Sequence, residues 1–159
     1  MAIETERRFL LDGEGWRLQA AEPTLIRQGY LSLDRERVVR VRVVDGTRGW
    51  ITVKGIRRHH RRHEFEYEIP VDQAVFMLDG LCLKPLIVKR RFRIENEPVG
   101  DWIVDEFCEA NKGLVIAEIE YAEGEQVTCP PWVGREISTD DKYANSSLVD
   151  RPFAEWAEQ

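Results

Sequence analysis

The stretch Ile3–Leu11, IETERRFLL, decides how the rest of the chain is read. As a strand it sends alternate side chains to opposite faces, so Glu4, Glu6 and Arg8 share one face and Thr5, Arg7 and Phe9 the other. Carboxylates and a cation in a row make a poor ordinary core, because like charges held close repel unless something positive lies between them. A divalent cation with oxygen ligands meets that need: Mg²⁺ or Mn²⁺ takes one or two carboxylates, with phosphate and water completing its shell. A solvated edge strand meets it too, and this stretch alone leaves both open.

Outward from it, the same period-two alternation recurs between turn residues. It predicts strands at Leu25–Leu33 (LIRQGYLSL), Val38–Val44 (VVRVRVV), Gly49–Gly55 (GWITVKG) and Arg62–Val71 (RHEFEYEIPV). Further strands are predicted at Leu86–Glu95 (LIVKRRFRIE), Asp101–Phe107 (DWIVDEF) and Leu114–Tyr121 (LVIAEIEY), eight in all with the first. Asp45-Gly46 is a hairpin turn, and the loop from Gly13 through Trp16 to Pro23 has room for a short helical turn. One helix is predicted, Asp72–Leu81, capped by Asp72, ended by Gly80, with Val75, Phe76 and Leu78 or Met77 inward. The remainder, Ala122 to Gln159, reads as irregular, with Pro130-Pro131 and one or two short helices.

Several of these strands sort charge to one face. Arg40 and Arg42 oppose Val39, Val41 and Val43; Thr52 and Lys54 oppose Ile51 and Val53. Glu64, Glu66 and Glu68 oppose Phe65, Tyr67 and Ile69; Lys89, Arg91 and Arg93 oppose Phe92 and Ile94. Glu118 and Glu120 oppose Val115, Ala117, Ile119 and Tyr121. Two architectures satisfy this pattern. A sandwich puts the charged face in water. A closed barrel puts it inside, under an apolar outer face covered by helices, and small barrels fill their interior or hold a ligand. An inward lining of Arg and Lys asks for an anion with many oxygens, and the adjoining Glu pairs ask for a metal. A polyphosphate with a divalent metal satisfies both.

Composition narrows the classes. The chain has 159 residues, 43% hydrophobic and 33% charged, which suits one domain, 1–159, with a real core. A net charge of -6 argues against a general nucleic-acid binder. The basic run from Arg57 to His63 sits between two strands and reads as a solvated hairpin tip; His59, His60 and His63 lack a fourth metal ligand. Cys82, Cys108 and Cys129 are widely spaced, as free thiols of a reducing cytoplasm are. No signal peptide or long apolar run is present, so neither export nor a membrane span is predicted. Trp102, Trp132 and Trp156 read as packing residues, and RPFAEWAEQ at the end as a short amphipathic cover.

Taken together, the motifs resemble the CYTH domain, or triphosphate tunnel metalloenzymes. The family's signature, E-x-E-x-K, is similar to Glu4-Thr5-Glu6-Arg7-Arg8. The likeness continues through RQGYL at Arg27–Leu31, Arg40 and Arg42, Thr52 and Lys54, and the Glu-x-Glu of Glu66 and Glu68. Lys89 and Arg91, Asp105, the Glu-x-Glu of Glu118 and Glu120, and DKYAN at Asp141–Asn145 complete it. The resemblance implies a mainly β fold: a closed eight-stranded antiparallel β-barrel forming a tunnel, with a few flanking helices and a C-terminal plug segment. It is nearest to the short bacterial members that hydrolyse inorganic triphosphate to diphosphate and phosphate.

By that resemblance Glu4, Glu6, Glu118 and Glu120, with Asp105 and Glu66, match metal-holding carboxylates for Mg²⁺ or Mn²⁺. Arg40, Arg42, Lys54, Lys89 and Arg91 match phosphate-binding bases; Lys142 falls in the plug and Tyr30 matches a lining tyrosine. Arg8 stands where the family has Lys, and an arginine stays protonated in proteins. It therefore serves as a phosphate clamp, or the family's base is missing. Like charges in the lining further predict that Arg40→Ala or Lys89→Ala weakens triphosphate binding while stability holds or rises. The implied partner is a small triphosphate, with no nucleic acid and no membrane, for a monomer or homodimer in the cytoplasm. The rivals are class IV adenylate cyclase or thiamine triphosphatase of the same family, a non-catalytic polyphosphate-binding module, and an ordinary β domain with a charged surface.

Overall fold

A computed structural model of the chain describes residues 3–158. Both ends of the expected domain, residues 1 and 159, lie outside the described residues. The strands run β1 (Ile3–Leu11), β2 (Thr24–Ser32), β3 (Val38–Val44), β4 (Arg48–Lys54), β5 (Arg61–Ile69), β6 (Ile87–Arg93), β7 (Asp101–Phe107), β8 (Val115–Glu120) and β9 (Val133–Glu136). All pairings are antiparallel, in the order β5-β4-β3-β2-β6-β7-β8-β1-β9. An additional pairing of β5 with β1 closes the first eight into a barrel.

β1 is the hinge of this closure. One of its edges pairs with β8 from Glu6↔Glu120 to Leu10↔Ile116. The start of β1 pairs with β5, Ile3↔His63 to Thr5↔Arg61. Its end pairs with β9, Phe9↔Glu136 and Leu11↔Val133. β9 was not legible in the sequence, which reads as irregular from Ala122 onward; only four residues long, VGRE, it carries no alternating apolar signal. Its physical role is to cover ladder groups of β1 that β5 does not reach.

The apolar faces pack outward, as a barrel with a charged interior requires. Phe9, Trp16, Trp102, Val104, Ile119 and Trp132 form a cluster on one flank, sealed by the 3-10 turn at Gly15–Gln19. On the opposite flank α1 (Val71–Gly80) lies on Val41 and Val43 through Ala74 and Leu78. It starts one residue earlier than predicted, at an N-cap Pro70, and Asp72 makes no side-chain cap. Phe76, expected inward, is 68% exposed, whereas Ala74 is buried. The reason is a close approach: a Cβ on Gly49 of β4 would lie 2.6 Å from the Ala74 Cβ, so only a small residue fits the contact line. The predicted hairpin turn is present, with Asp45 and Gly46 both left-handed at φ 51 and 69.

A third cluster closes one end of the barrel. Tyr30, Ile87, Phe107 and Ile116 meet Tyr143, Leu148 and Val149 of the C-terminal segment, which forms a 3-10 turn (Asp141–Tyr143) and α2 (Ser147–Asp150). Trp156 stacks edge-on against Tyr143 and Phe153. None of the described helices is long and apolar enough to cross a membrane.

Candidate active site

Strand parity decides the lining. Every second residue of a barrel strand points inward, and here those residues are the charged ones. Glu6, Arg8, Tyr30, Arg40, Arg42 and Lys54 line a cavity of about 900 Å³, together with Lys89, Arg91 and Glu118. The sandwich with a charged outer face is thereby excluded.

Strand order divides this lining into two walls. β3, β2 and β6 are neighbours and carry Arg40, Arg42, Lys89 and Arg91. β8, β1 and β5 are neighbours too, and carry Glu118, Glu4, Glu6 and Glu64. On the basic wall Arg42 donates twice to Gln28 Oε1, at 3.0 and 2.9 Å. Arg40 Nη2 donates to Thr52 Oγ1 at 3.2 Å and to Glu66 Oε2 at 3.3 Å. Lys89, only 1% exposed, lies 3.0 Å from Asp105 Oδ2 and donates to Asn145 Oδ1 at 2.9 Å. Arg91 grips the same Asp105 bidentately at 2.8 and 2.9 Å.

Electrostatics separates the walls further. Burial, with Arg40 and Arg91 alongside, pulls the Arg42 guanidinium down to about 9. Burial likewise lowers Lys89, against the pull of Asp105. Asp105 is held far below the usual carboxylate range by Arg91 and Lys89, which outweigh its own burial. Arg91 is held above the usual guanidinium range, Asp105 outweighing its burial, so both arginines stay charged near neutrality and the wall keeps positive charge for an anion. On the acidic wall burial raises Glu4 and Glu118 to about 7, with Glu64 adding to the first and Glu6 to the second. Neighbouring carboxylates work in pairs here: Glu118 adds to the lowering of Glu6 and Glu4 to that of Glu64.

These carboxylates fit a divalent cation. Glu4 Oε1 is buried and accepts no hydrogen bond. Among the described residues no three acidic, His or Cys groups converge on a ready-made cage, but Mg²⁺ is usually held by one or two carboxylates with phosphate oxygens and water. The acidic pairs supply that number and the basic wall would bring the phosphate.

A pH dependence follows from the raised groups. Glu4 and Glu118 bind protons more tightly in the folded than in the unfolded chain, so their contribution to stability is full below pH 4.5 and is lost as pH rises through about 7. Thermal melts in chelator should therefore show this part of the stability falling between those values. Added Mg²⁺, which needs the ionised carboxylates, should restore it, and its affinity should climb with pH up to about 7. Melting curves with identical pH slopes with and without metal would contradict this.

Residues 2–151 match the model of the CYTH domain. The chain belongs to the CYTH domain family. The inorganic triphosphatase of Acetivibrio thermocellus is 43% identical over 159 residues, 99% of this chain and 100% of that protein. The inorganic triphosphatase of Nitrosomonas europaea is 29% identical over 155 residues, 92% of this chain and 96% of that one. The crystal structure of the inorganic triphosphatase NE1496 shares the fold with a TM-score of 0.61 at 26% identity, covering 91% of this chain and 96% of that chain.

Within this CYTH barrel some residues stand where the sequence motifs put them and others do not. Glu66 is occupied by Arg40 and by Thr52 Oγ1, 2.8 Å away, and Asp105 by Arg91 and Lys89. Both carboxylates are thus engaged by bases of β3 and β6 in this structure. The motif's Glu-x-Glu is offset: Glu68 is half exposed and paired with Arg48, while Glu64 faces inward, 3.0 Å from Lys54. Lys54 also reaches Glu4 at 3.5 Å, so it sits on the acidic wall. Glu120 stands exposed and lines a separate surface hollow with Asp101 and Glu123.

Lys142 does not enter the tunnel. The Asp140 carboxylate caps its turn, and the ammonium lies over the rings of Trp156 and Tyr143, 4.9 and 5.3 Å from their centroids. Of the plug residues that line the cavity, Asn145 is the one bonded to the basic wall, accepting from Lys89 and Gln28. The basic loop is not merely a solvated tip either. Arg57 reaches Glu6, and Arg62 lines the cavity while donating to Gly55 O at 3.1 and 2.8 Å. Parity could have found Arg62, two residues before Glu64 on β5; Arg57 lies off any strand and left no periodic signal.

Proposed function

We propose that this protein hydrolyses inorganic triphosphate to diphosphate and phosphate inside the tunnel, with Mg²⁺ or Mn²⁺ at the acidic wall. One observation carries the reading: bases of β3 and β6 and carboxylates of β1 and β8 line one cavity inside the closed barrel. A triphosphate chain needs the first, and its metal needs the second. Phosphoryl transfer asks the protein for in-line positioning and charge neutralisation more than for covalent chemistry. Arg40, Arg42, Lys89 and Arg91 hold the phosphate oxygens and fix the chain along the bore. Glu4, Glu6 and Glu118 are the residues that would hold the metal, with Glu64 and Glu120 nearby. Bound there, the metal neutralises phosphoryl oxygens and acidifies a water. The names of the relatives from Acetivibrio thermocellus and Nitrosomonas europaea support the same activity.

Arg8 joins the walls. Its Nε lies 3.6 Å from Glu118 Oε2 and its side chain lines the cavity. Because arginine keeps its proton, it acts as a phosphate clamp. Arg8→Lys is expected to keep most activity and Arg8→Ala to lose about 1.5–3 kcal/mol of transition-state binding, roughly ten- to a hundredfold in kcat/KM. A tenfold gain in Arg8→Lys, with a new ionisation in its pH profile, would instead mark the position as a base site.

The reading as a whole is tested by phosphate release from triphosphate and from ATP, each with Mg²⁺, with Mn²⁺ and with chelator. Metal-dependent turnover should favour triphosphate. Cyclic AMP formed from ATP would point to a cyclase, thiamine triphosphate as the preferred substrate to the thiamine enzyme, and tight binding without turnover to a polyphosphate-binding module.

A further inference from the structure

Arg57 lies on the loop between β4 and β5, outside every strand that builds the tunnel. Its guanidinium nevertheless ends among the buried carboxylates of β1: Nη2 is 2.6 Å from Glu6 Oε1 and 3.7 Å from Glu4 Oε1. The second of those oxygens is the one that accepts no hydrogen bond. The reach is built into the backbone. His60 O accepts from Glu6 N at 3.0 Å, which ties the loop to the strand that carries both carboxylates. A tight turn, with Arg58 and Arg61 exchanging backbone bonds and His59 left-handed at φ 59, fixes the loop's other side.

We propose that Arg57 is a built-in counter-ion that occupies the cation position on Glu4 and Glu6 in the ligand-free protein and gives it up when metal arrives with triphosphate. The inference rests on the assignment of Glu4 and Glu6 to the metal. Arg57 holds Glu6 Oε1 at 2.6 Å and stands 3.7 Å from Glu4 Oε1, so a divalent cation that takes those two oxygens competes with the guanidinium for them and is repelled by its charge. Displaced alone, the arginine leaves a strong partner and finds only water. Displaced in the presence of triphosphate, it finds phosphate oxygens, since its side chain already lines the same cavity. Metal and triphosphate are therefore coupled: each binds more tightly when the other is present, by equal factors as linkage demands. With Lys54 on the other side of Glu4, the device reduces the negative charge of the acidic wall at rest and makes the metal–triphosphate complex, not free metal, the preferred ligand.

The test is Mn²⁺ binding followed by titration calorimetry and by the Mn²⁺ paramagnetic resonance signal, with and without a non-hydrolysable imido analogue of triphosphate. Three variants are compared with wild type: Arg57→Gln, Arg57→Lys and Glu6→Gln. Arg57→Gln should bind free Mn²⁺ at least about tenfold more tightly than wild type, and the analogue's enhancement of Mn²⁺ binding should shrink. Arg57→Lys keeps a charge but lacks the planar fork, and should fall between the two; it also serves if the Gln variant does not fold. Free Mn²⁺ affinity that is unchanged or weaker in both Arg57 variants overturns the proposal, provided that Glu6→Gln has weakened Mn²⁺ binding. If Glu6→Gln leaves Mn²⁺ binding intact, the carboxylate assignment itself has failed, and the proposal with it.

Discussion

Glu118→Gln is expected to lose nearly all triphosphate turnover and yet to melt no lower than wild type in chelator. The carboxylate is buried beside Glu6 with its pKa raised to about 7, so in the absence of metal its charge costs stability. An amide of the same shape can donate to a carboxylate neighbour and removes that repulsion. The same change removes a ligand from the acidic wall. Metal charge stabilisation is worth several kcal/mol in reactions of this class, so the expected loss is about 10²–10³ in kcat at ordinary metal concentrations. The pairing of the two outcomes is the discriminating feature. A variant that lost activity because it unfolded would melt low, and one outside the metal site would keep its rate.

Lys89→Met should do the reverse on stability. Its ammonium is buried between Asp105 and Asn145, so deletion leaves Asp105 with Arg91 alone and Asn145 short of a donor. Breaking a buried pair in this way costs about 3 kcal/mol, roughly 6–12 °C in Tm for a chain of this size. Triphosphate binding should weaken as well, by about 1.5–3 kcal/mol for a lost charged hydrogen bond. Adding Asp105→Asn should lower the Tm further, because the buried Arg91 then loses the carboxylate it grips, and should recover none of the binding. Recovery of binding in the double variant, or a single variant as stable as wild type, would show that the Lys89–Asp105 pair is not what holds this wall together.

The like-charged lining had suggested otherwise: read along one strand, Lys89 and Arg91 simply repel. What a single strand cannot show is its neighbour across the ladder. Arg91 is in register with Asp105 of β7, and that carboxylate turns a repulsive pair into a clamped one. The same limit explains most of what the sequence left out. Period-two alternation placed each inward residue of β1, β3, β6 and β8, because parity is a property of one strand. It could not choose between Glu64 and Glu68, which share parity and differ in depth along the bore. It was silent on Arg57, held by a loop, and on Lys142, which the resemblance alone set in the plug and which a capped turn directs over Trp156 and Tyr143. The helix was visible as an element, but its buried face turned on one close contact with Gly49, a distance that no pattern encodes.

β1 also sets the order in which this molecule can be completed. Its partners lie far along the chain: residues 61–63 at its start, 116–120 along one edge and 133–136 at its end. During synthesis β1 leaves the ribosome before its partner strands and waits for β8 and β9 before its edges are covered. Such long-range pairings are slow to form, since loop closure precedes the contacts that reward it. The strand that waits is the one bearing Glu4 and Glu6. Folding therefore assembles the acidic wall and seals the barrel in the same late event, and a nascent chain truncated before β8 has neither.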